Sequence, residues 1–213
     1  MTTQKESWHN EGRTQRYALW SKISSRMVYA PFARKIVESL APWQGKPTIV
    51  DLGTGPGLLP IELNKLLPEA RIIGVDASAE MLKIARKNAD GAGISDFETR
   101  MGTAEEIPIE SNSVDLVVTQ SSFHEWENPR KGLSEVFRVL KPGGSLILKD
   151  YNRAWLSDWK RKLLGFFHHL DMFKFTFEEV ADLLREAGFH EIRGQGKGLQ
   201  FLVRASKPIE TDS

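Results

Sequence analysis

Cysteine is absent from all 213 residues, which excludes disulfides, thiolate metal sites and cysteine nucleophiles. An excess of one charge is also missing. The 29 basic and 28 acidic side chains leave a formal net charge of +1, which gives no support to a general nucleic-acid surface. No apolar run approaches the roughly 18 residues that a membrane-spanning helix needs. The opening "MTTQKESWHNEGRTQR" lacks the apolar stretch of a secretory signal. These absences lead to the expectation of a soluble, cytoplasmic chain. Internal repeats and low-complexity tracts are missing too.

What is present suits one sizeable core with appended helices: 40% of the residues are hydrophobic. Residues 1–46 carry two helical patterns, "RYALWSKISSRMVY" and "PFARKIVESLAPW", with Pro31 at the expected start of the second. "TIVDLG", "ARIIGVD", "DFETRMG", "SVDLVVTQ" and "SLILKDY" read as strands, separated by helices. Ser78 is expected to cap "SAEMLKIARKNADGAG", which would bury Met81, Ile84, Ala85 and Ala89. "PRKGLSEVFRVLKPGG" reads as a helix stopped by a Pro-Gly-Gly turn. This alternation argues for an open parallel sheet. "TFEEVADLLREAG" holds a capping box, Thr176 with Glu179, and an apolar stripe of Phe177, Val180, Ala181 and Leu184. "HEIRGQG" and "LQFLVRAS" lie so close together that they form a hairpin, so the last strand is antiparallel.

The most informative stretch is "IVDLGTGPGLLPIELNK", Ile49 to Lys65. Gly53, Gly55 and Gly57 stand between a strand and a helix, where a bare backbone allows close approach by a cofactor. A dinucleotide site wants G-x-G-x-x-G and an acidic residue about 20 positions later. Asp76 meets the second requirement, but Leu58 stands in place of the third glycine. The lysine and hydroxyl of a triphosphate-binding loop are missing as well. The remaining fit is a ligand with a ribose and no pyrophosphate.

"VDLGTGPG", "GVDASAEMLKIARKNA", "GTAEEIPIESNSVDLVVTQSSFHEW" and "EVFRVLKPGGSLILKD" resemble, in order, the motifs of class I S-adenosylmethionine-dependent methyltransferases. Within these they are similar to the small-molecule group that includes quinone-biosynthesis enzymes. The resemblance covers residues 47–150 well and the closing strand pair loosely. It implies a Rossmann-like three-layer α/β sandwich with a seven-stranded, mostly parallel sheet in the order 3-2-1-4-5-7-6. One methyltransferase domain over 1–213 would then comprise a helical cap (1–46), a cofactor-binding core (47–152), an inserted lid (153–175) and a closing helix with hairpin (176–207). S-adenosyl-L-methionine would be the cofactor and S-adenosyl-L-homocysteine its product.

The chemistry of that cofactor agrees with the residues. Asp51 could hold its ammonium, and Gly53, Thr54, Gly55 and Gly57 could pass beneath its methionine and ribose parts. Asp76 could accept from both ribose hydroxyls, with Ala77 and Met81 flanking the adenine. The resemblance places Thr103 and Ala104 at the adenine edge, although the family more often has an acidic residue where Thr103 stands. Gln120 and Ser121, after the fourth strand, would lie near the methionine part. Plainer readings stand beside these: Asp51 as a turn cap, Gly57 as a packing glycine, Met81 as core. His124 is read as a base or substrate contact, or as a loop residue that only shapes the pocket.

Methyl transfer is an in-line displacement in which alignment supplies much of the rate. A base is needed only where the acceptor arrives protonated. The Asn/Asp-Pro-Pro-Tyr grip of nucleic-acid and protein amide methyltransferases is missing, so the expected acceptor is a small, partly apolar molecule, with no nucleic acid. The block "RAWLSDWKRKLLGFFHHLDMFKF" carries an apolar stripe of Trp155, Trp159, Leu163, Phe166, Phe167 and Leu170. It is read first as a lid, then as a membrane-surface contact, then as a homodimer contact. His168 and His169 are read as lid residues without a metal, and Tyr17 and Tyr29 as cofactor cover. Two rival readings remain at this point: a nicotinamide-dependent reductase and a non-catalytic S-adenosylmethionine-binding module.

Overall fold

Thr48–Leu52 forms the first strand, β1, and all but its first residue are buried, the pattern of a parallel strand covered on both faces. The computed structural model describes residues 27–39, 45–94, 97–156, 170–196 and 198–209. The remaining strands are β2 (Arg71–Asp76), β3 (Glu98–Met101), β4 (Val114–Gln120), β5 (Leu140–Tyr151), β6 (His190–Gln195) and β7 (Gln200–Ser206). The helices are α1 (27–38), α2 (Leu58–Leu66), α3 (Ala79–Gly91), α4 (Pro129–Val139) and α5 (Phe177–Glu186). The seven strands form one sheet in the order β3-β2-β1-β4-β5-β7-β6. This is the Rossmann-like order that the family resemblance implies. By compactness the chain divides into Met1–Thr103 and Ala104–Ser213.

In Met1–Thr103, β1, β2 and β3 run parallel, with Thr48 opposite Arg71 and Ile73 opposite Glu98. Both β1 and β2 therefore deliver their last residues, Leu52 and Asp76, to one edge. Ile36, Ile49, Leu63 and Ile73 are fully buried, each worth about 1.5–3 kcal/mol of apolar transfer. Ser78 caps α3 as expected, its hydroxyl accepting from Met81 N at 3.3 Å. The buried face of α3 is turned slightly from the expected one: Leu82 and Asn88 are inside, whereas Ile84 is only half-buried. Asn88 is satisfied there because its amide donates to Pro56 O at 2.8 Å. Pro31 does not start a helix, since α1 already runs through it from residue 27. The helix forfeits only the bond that a residue-31 N–H would make to Met27.

In Ala104–Ser213, β4 pairs with β5 in parallel and β7 pairs with β5 and β6 antiparallel. Asn128 caps α4, accepting from Lys131 N at 3.1 Å, and Pro129 occupies the first turn. The Pro-Gly-Gly segment does not end α4. The helix stops at Val139, and β5 begins at once with Leu140 opposite Val114. The register then jumps to Leu116 opposite Ser145, so 141–144 bulge within the strand. Lys207 seals this corner: its buried ammonium donates to Phe137 O, Leu140 O and Asn112 Oδ1 at 2.7–2.9 Å. These acceptors include a carbonyl from the last turn of α4, where a cation suits the helix dipole. Thr176 and Glu179 form the expected capping box on α5. Val180, Ala181 and Leu184 are buried, and Phe177 is half-buried against Gly194 and Gly196. No helix among the described residues is long and apolar enough to cross a membrane.

Candidate functional site

The turn after β1 is built by left-handed backbone at Gly53, Gly55 and Gly57, whose φ values are 75°, 51° and 73°. Side chains with a Cβ are strained in that region. Gly53 N and Thr54 N both donate to Val75 O, at 2.8 and 3.0 Å, so the turn folds back over the end of β2. Gly55 N donates to Asp76 Oδ2 at 2.8 Å and Ser78 N donates to Asp76 Oδ1 at 2.9 Å. Asp76 thus organises both the glycine turn and the start of α3. Asp51, Gly53, Thr54, Gly55, Gly57 and Asp76 are brought together around this turn.

Asp51 is buried, and burial pushes its carboxyl up to about 7. The neighbouring Thr54 hydroxyl acts in the opposite direction, and the charge of Asp76 raises it further. Asp76 is itself raised, mainly by burial, while the amides of Ser78 and Gly55 hold it down. Two carboxylates withdrawn from water favour a cationic or hydroxyl-rich ligand. Thr54 Oγ1 is buried, and its neighbour is the Asp51 carboxyl. Gly57 has no side chain with which to cap α2, and the first turn of that helix holds no acid. Its amino end is suited to an incoming carboxylate. An amino acid with a ribose attached fits this donor set.

Gly57 also has a packing role. A Cβ there would stand 2.9 Å from Ala85 Cβ, so the plainer reading of this glycine holds as well. Gly74, in the middle of β2, was not singled out by its sequence context. A Cβ on it would lie 2.9 Å from Thr54 Oγ1 and 2.8 Å from the Phe97 ring. An isolated glycine in an apolar strand was the available signal of such close approach. Met81 is buried on α3, Ala77 is exposed just beyond β2, and Thr103 is half-buried.

In Ala104–Ser213, Ala104 is buried, Gln120 ends β4 and Ser121 follows it. Gln120 Oε1 is buried without a partner. Ser121 takes a left-handed φ of 54°, a conformation that costs on the order of 1 kcal/mol for a non-glycine residue and clusters at functional sites. His124 lies in the 3-10 turn Phe123–Glu125 that follows. Its Nδ1 is 2.9 Å from Asp150 Oδ1, and its backbone N donates to Asp150 Oδ2 at 3.0 Å. Asp150, near the end of β5, is buried and was missed as a site residue. Within "SLILKDY" it reads as an ordinary strand-end acid.

An aromatic group adjoins this pair. Tyr151 meets the His124 ring edge-on at 5.7 Å, Phe173 lies 5.5 Å from Tyr151, and Trp155 stacks on Phe173 at 6.0 Å. Burial raises the Tyr151 phenol, against a contact from the Ser121 hydroxyl, and the Asp150 charge adds to the rise. The phenol therefore keeps its proton near neutral pH. Trp126, buried beside Phe123, packs over Gly132, where a Cβ would come within 2.5 Å of its ring. Tyr17, Trp159, Leu163, Phe166, Phe167, His168 and His169 lie outside the described residues, as does the side chain of Leu170.

A family model described as a methyltransferase domain matches residues 45–196. An uncharacterized methyltransferase of Schizosaccharomyces pombe is 32% identical over 189 residues, covering 85% of this chain and 70% of that protein. A demethylmenaquinone methyltransferase of Porphyromonas gingivalis is 27% identical over 187 residues, covering 77% of this chain and 75% of the other. Among solved structures, an S-adenosylmethionine-dependent methyltransferase of Thermotoga maritima matches with a TM-score of 0.70 at 25% identity. That match covers 94% of this chain and 99% of the other.

Proposed function

The chain belongs to the methyltransferase-domain family, and from that membership we propose that it methylates a small, partly apolar acceptor with S-adenosyl-L-methionine. The observation that carries this reading is the glycine turn bonded to Asp76, with the buried Asp51 carboxyl beside it. The cofactor supplies a methyl group on a positively charged sulfur that leaves as a neutral thioether. Asp51 holds its ammonium, and Asp76 accepts from its ribose hydroxyls through the lone pairs not used by Gly55 and Ser78. Gly53, Thr54, Gly55 and Gly57 give its methionine and ribose parts close access to backbone, and Ala77 and Met81 flank its adenine. The assignments of Thr103, Ala104, Gln120 and Ser121 to the cofactor rest on the family resemblance.

His124 acts as the base for an acceptor that arrives protonated. Residues 153–175 form a cover for the acceptor, a reading supported by the path of rings from Tyr151 through Phe173 to Trp155. Membrane-surface and homodimer contacts stay as the other outcomes for that block. The domain division at 46, 152 and 175 follows the same assignment. Family membership displaces the nicotinamide-reductase alternative, and turnover separates an enzyme from a non-catalytic binder. Calorimetry tests the cofactor assignment. S-adenosylmethionine and S-adenosylhomocysteine should bind, and NAD and ATP should show no comparable affinity; tight NAD binding with no signal from either S-adenosyl compound would sink it.

A further inference from the structure

We propose that Asp150 is a positioning residue that fixes His124 with its proton on Nδ1, leaving the Nε2 lone pair free to take a proton from the acceptor. This inference rests on the methyltransferase reading. It begins with topology: β4 and β5 are parallel with Gln120 opposite Lys149, so the residues that follow both strands emerge at one edge. Asp150 and the turn that carries His124 meet there.

Asp150 is 1% exposed. Burying a carboxylate is costly unless donors replace water at both oxygens. Oδ2 accepts from His124 N at 3.0 Å; Oδ1 accepts from Tyr151 N at 2.7 Å and faces His124 Nδ1 at 2.9 Å. The two backbone N–H groups can only donate, so each oxygen serves as an acceptor. A carboxylate has no proton to give the ring, and Nδ1 must therefore carry its own. In neutral imidazole that leaves the lone pair on Nε2.

The plain alternative is that Asp150 only caps the 3-10 turn. Capping accounts for the bond from His124 N to Oδ2, and it needs nothing from the ring. The contact at Nδ1 is additional, and it fixes the plane of the imidazole. The His124 side chain is 13% exposed. Among the described residues, the groups that face it are Asp150 at Nδ1, Glu125 Oε1 at 3.8 Å from Nε2, and the edge of Tyr151.

For a hydroxyl acceptor, the O–H bond breaks and its proton passes to Nε2. The oxygen bonds to the methyl carbon as the carbon–sulfur bond breaks, and that electron pair stays on sulfur. The imidazolium then returns the proton to solvent. Such a base is useful only to an acceptor that arrives with a proton, so the arrangement favours hydroxyl and ammonium compounds.

Nitrogen-15 NMR of the side chain in the cofactor-free protein tests the arrangement directly, with His124→Gln identifying the resonances. At a pH where the ring is neutral, His124 should show a protonated Nδ1 and a bare Nε2. The folded Asp150→Asn variant should lose that preference, because its amide can donate to Nδ1. A protonated Nε2 in the wild type would overturn the proposal, as would an unchanged tautomer in Asp150→Asn. Should that variant fail to fold, the wild-type spectrum still decides, because free histidine prefers the opposite tautomer. Calorimetry with S-adenosylhomocysteine on the same wild-type sample separates the two levels of failure. Absent binding counts against the methyltransferase reading, whereas binding together with the wrong tautomer overturns only the role of Asp150.

Discussion

Gly55 N donates to Asp76 Oδ2 across 2.8 Å, and the two residues are 21 positions apart in sequence. One oxygen of this carboxylate shapes the glycine turn and the other holds the start of α3 through Ser78 N. The lone pairs that remain are already oriented by the protein. A ligand that donates to them meets a preorganised acceptor, which lowers the ordering cost of binding.

That arrangement makes Asp76 the most sensitive position in the proposed cofactor site. Asp76→Ala should weaken S-adenosylmethionine binding by about 1.5–3 kcal/mol, the range for hydrogen bonds to a charged group. Titration calorimetry reads this as a loss of about ten- to a hundredfold in affinity. Circular dichroism should confirm that the variant is folded. Undiminished binding would remove Asp76 from the site.

Asp51 should make both binding and stability depend on pH. Its folded carboxyl is raised to about 7 from a reference value of 3.8, so the native state holds a proton that the unfolded chain releases earlier. Its contribution to stability is complete below the reference value and is lost as pH rises through about 7. Ammonium binding requires the ionised form, so affinity should climb over the upper part of the same window, by up to about tenfold per pH unit. Thermal melts and calorimetry from pH 5 to 8 on wild type and Asp51→Asn would check both slopes. Equal pH profiles in the two proteins would count against the raised carboxyl.

Gly57→Ala combines left-handed strain with the approach of Ala85. The conformation alone costs roughly 1–2 kcal/mol, and overpacking adds about 1–3 kcal/mol. Adding Ala85→Gly should relieve only part of the packing cost, because the Ala85 Cα still stands 3.1 Å from the added Cβ, and in mid-helix that change costs about 1 kcal/mol by itself. Urea denaturation of both single variants and the double variant measures the coupling, and strictly additive losses would refute the contact.

Lys207→Met should destabilise the protein by about 1–3 kcal/mol, because the Phe137 and Leu140 carbonyls and the Asn112 amide lose their shared donor. Equilibrium unfolding measures the loss. Cofactor affinity should change little, because Phe137, Leu140 and Asn112, the groups that Lys207 bonds, are not among the residues assigned to the ligand.

His124→Ala should lower turnover about 10²-fold or more while cofactor affinity holds. His124→Gln would retain most activity if the ring only shaped the pocket. Trp155→Ala should act differently, raising the acceptor's KM through lost apolar burial. Trp159→Ala and Phe166→Ala should do the same if the whole 153–175 block covers the acceptor. Normal kinetics in all three would favour the membrane-surface or homodimer outcome, which liposome co-sedimentation distinguishes.

The alternation of apolar runs, glycine turns and caps was enough to locate the strands, the capping box at Thr176, and the glycine turn after β1. Those signals are local: a buried parallel strand needs a continuous apolar run, and a left-handed turn needs glycine, wherever else the chain goes. The left-handed turn at Gly53, Gly55 and Gly57 was legible for that reason. Position in the strand order came from resemblance to a family, because hydrophobic pattern does not say which strands are neighbours. Tertiary structure alone decided the rest. The tilt that buries Leu82 and Asn88 on α3, and leaves Ile84 half-buried, depends on what the helix packs against. The bulge at 141–144 depends on the register with β4, which overrode a strong turn signal. Asp150 and His124 are separated by 26 positions. They meet because parallel pairing of β4 with β5 brings the ends of both strands to one edge, a long-range contact to which neither local stretch points.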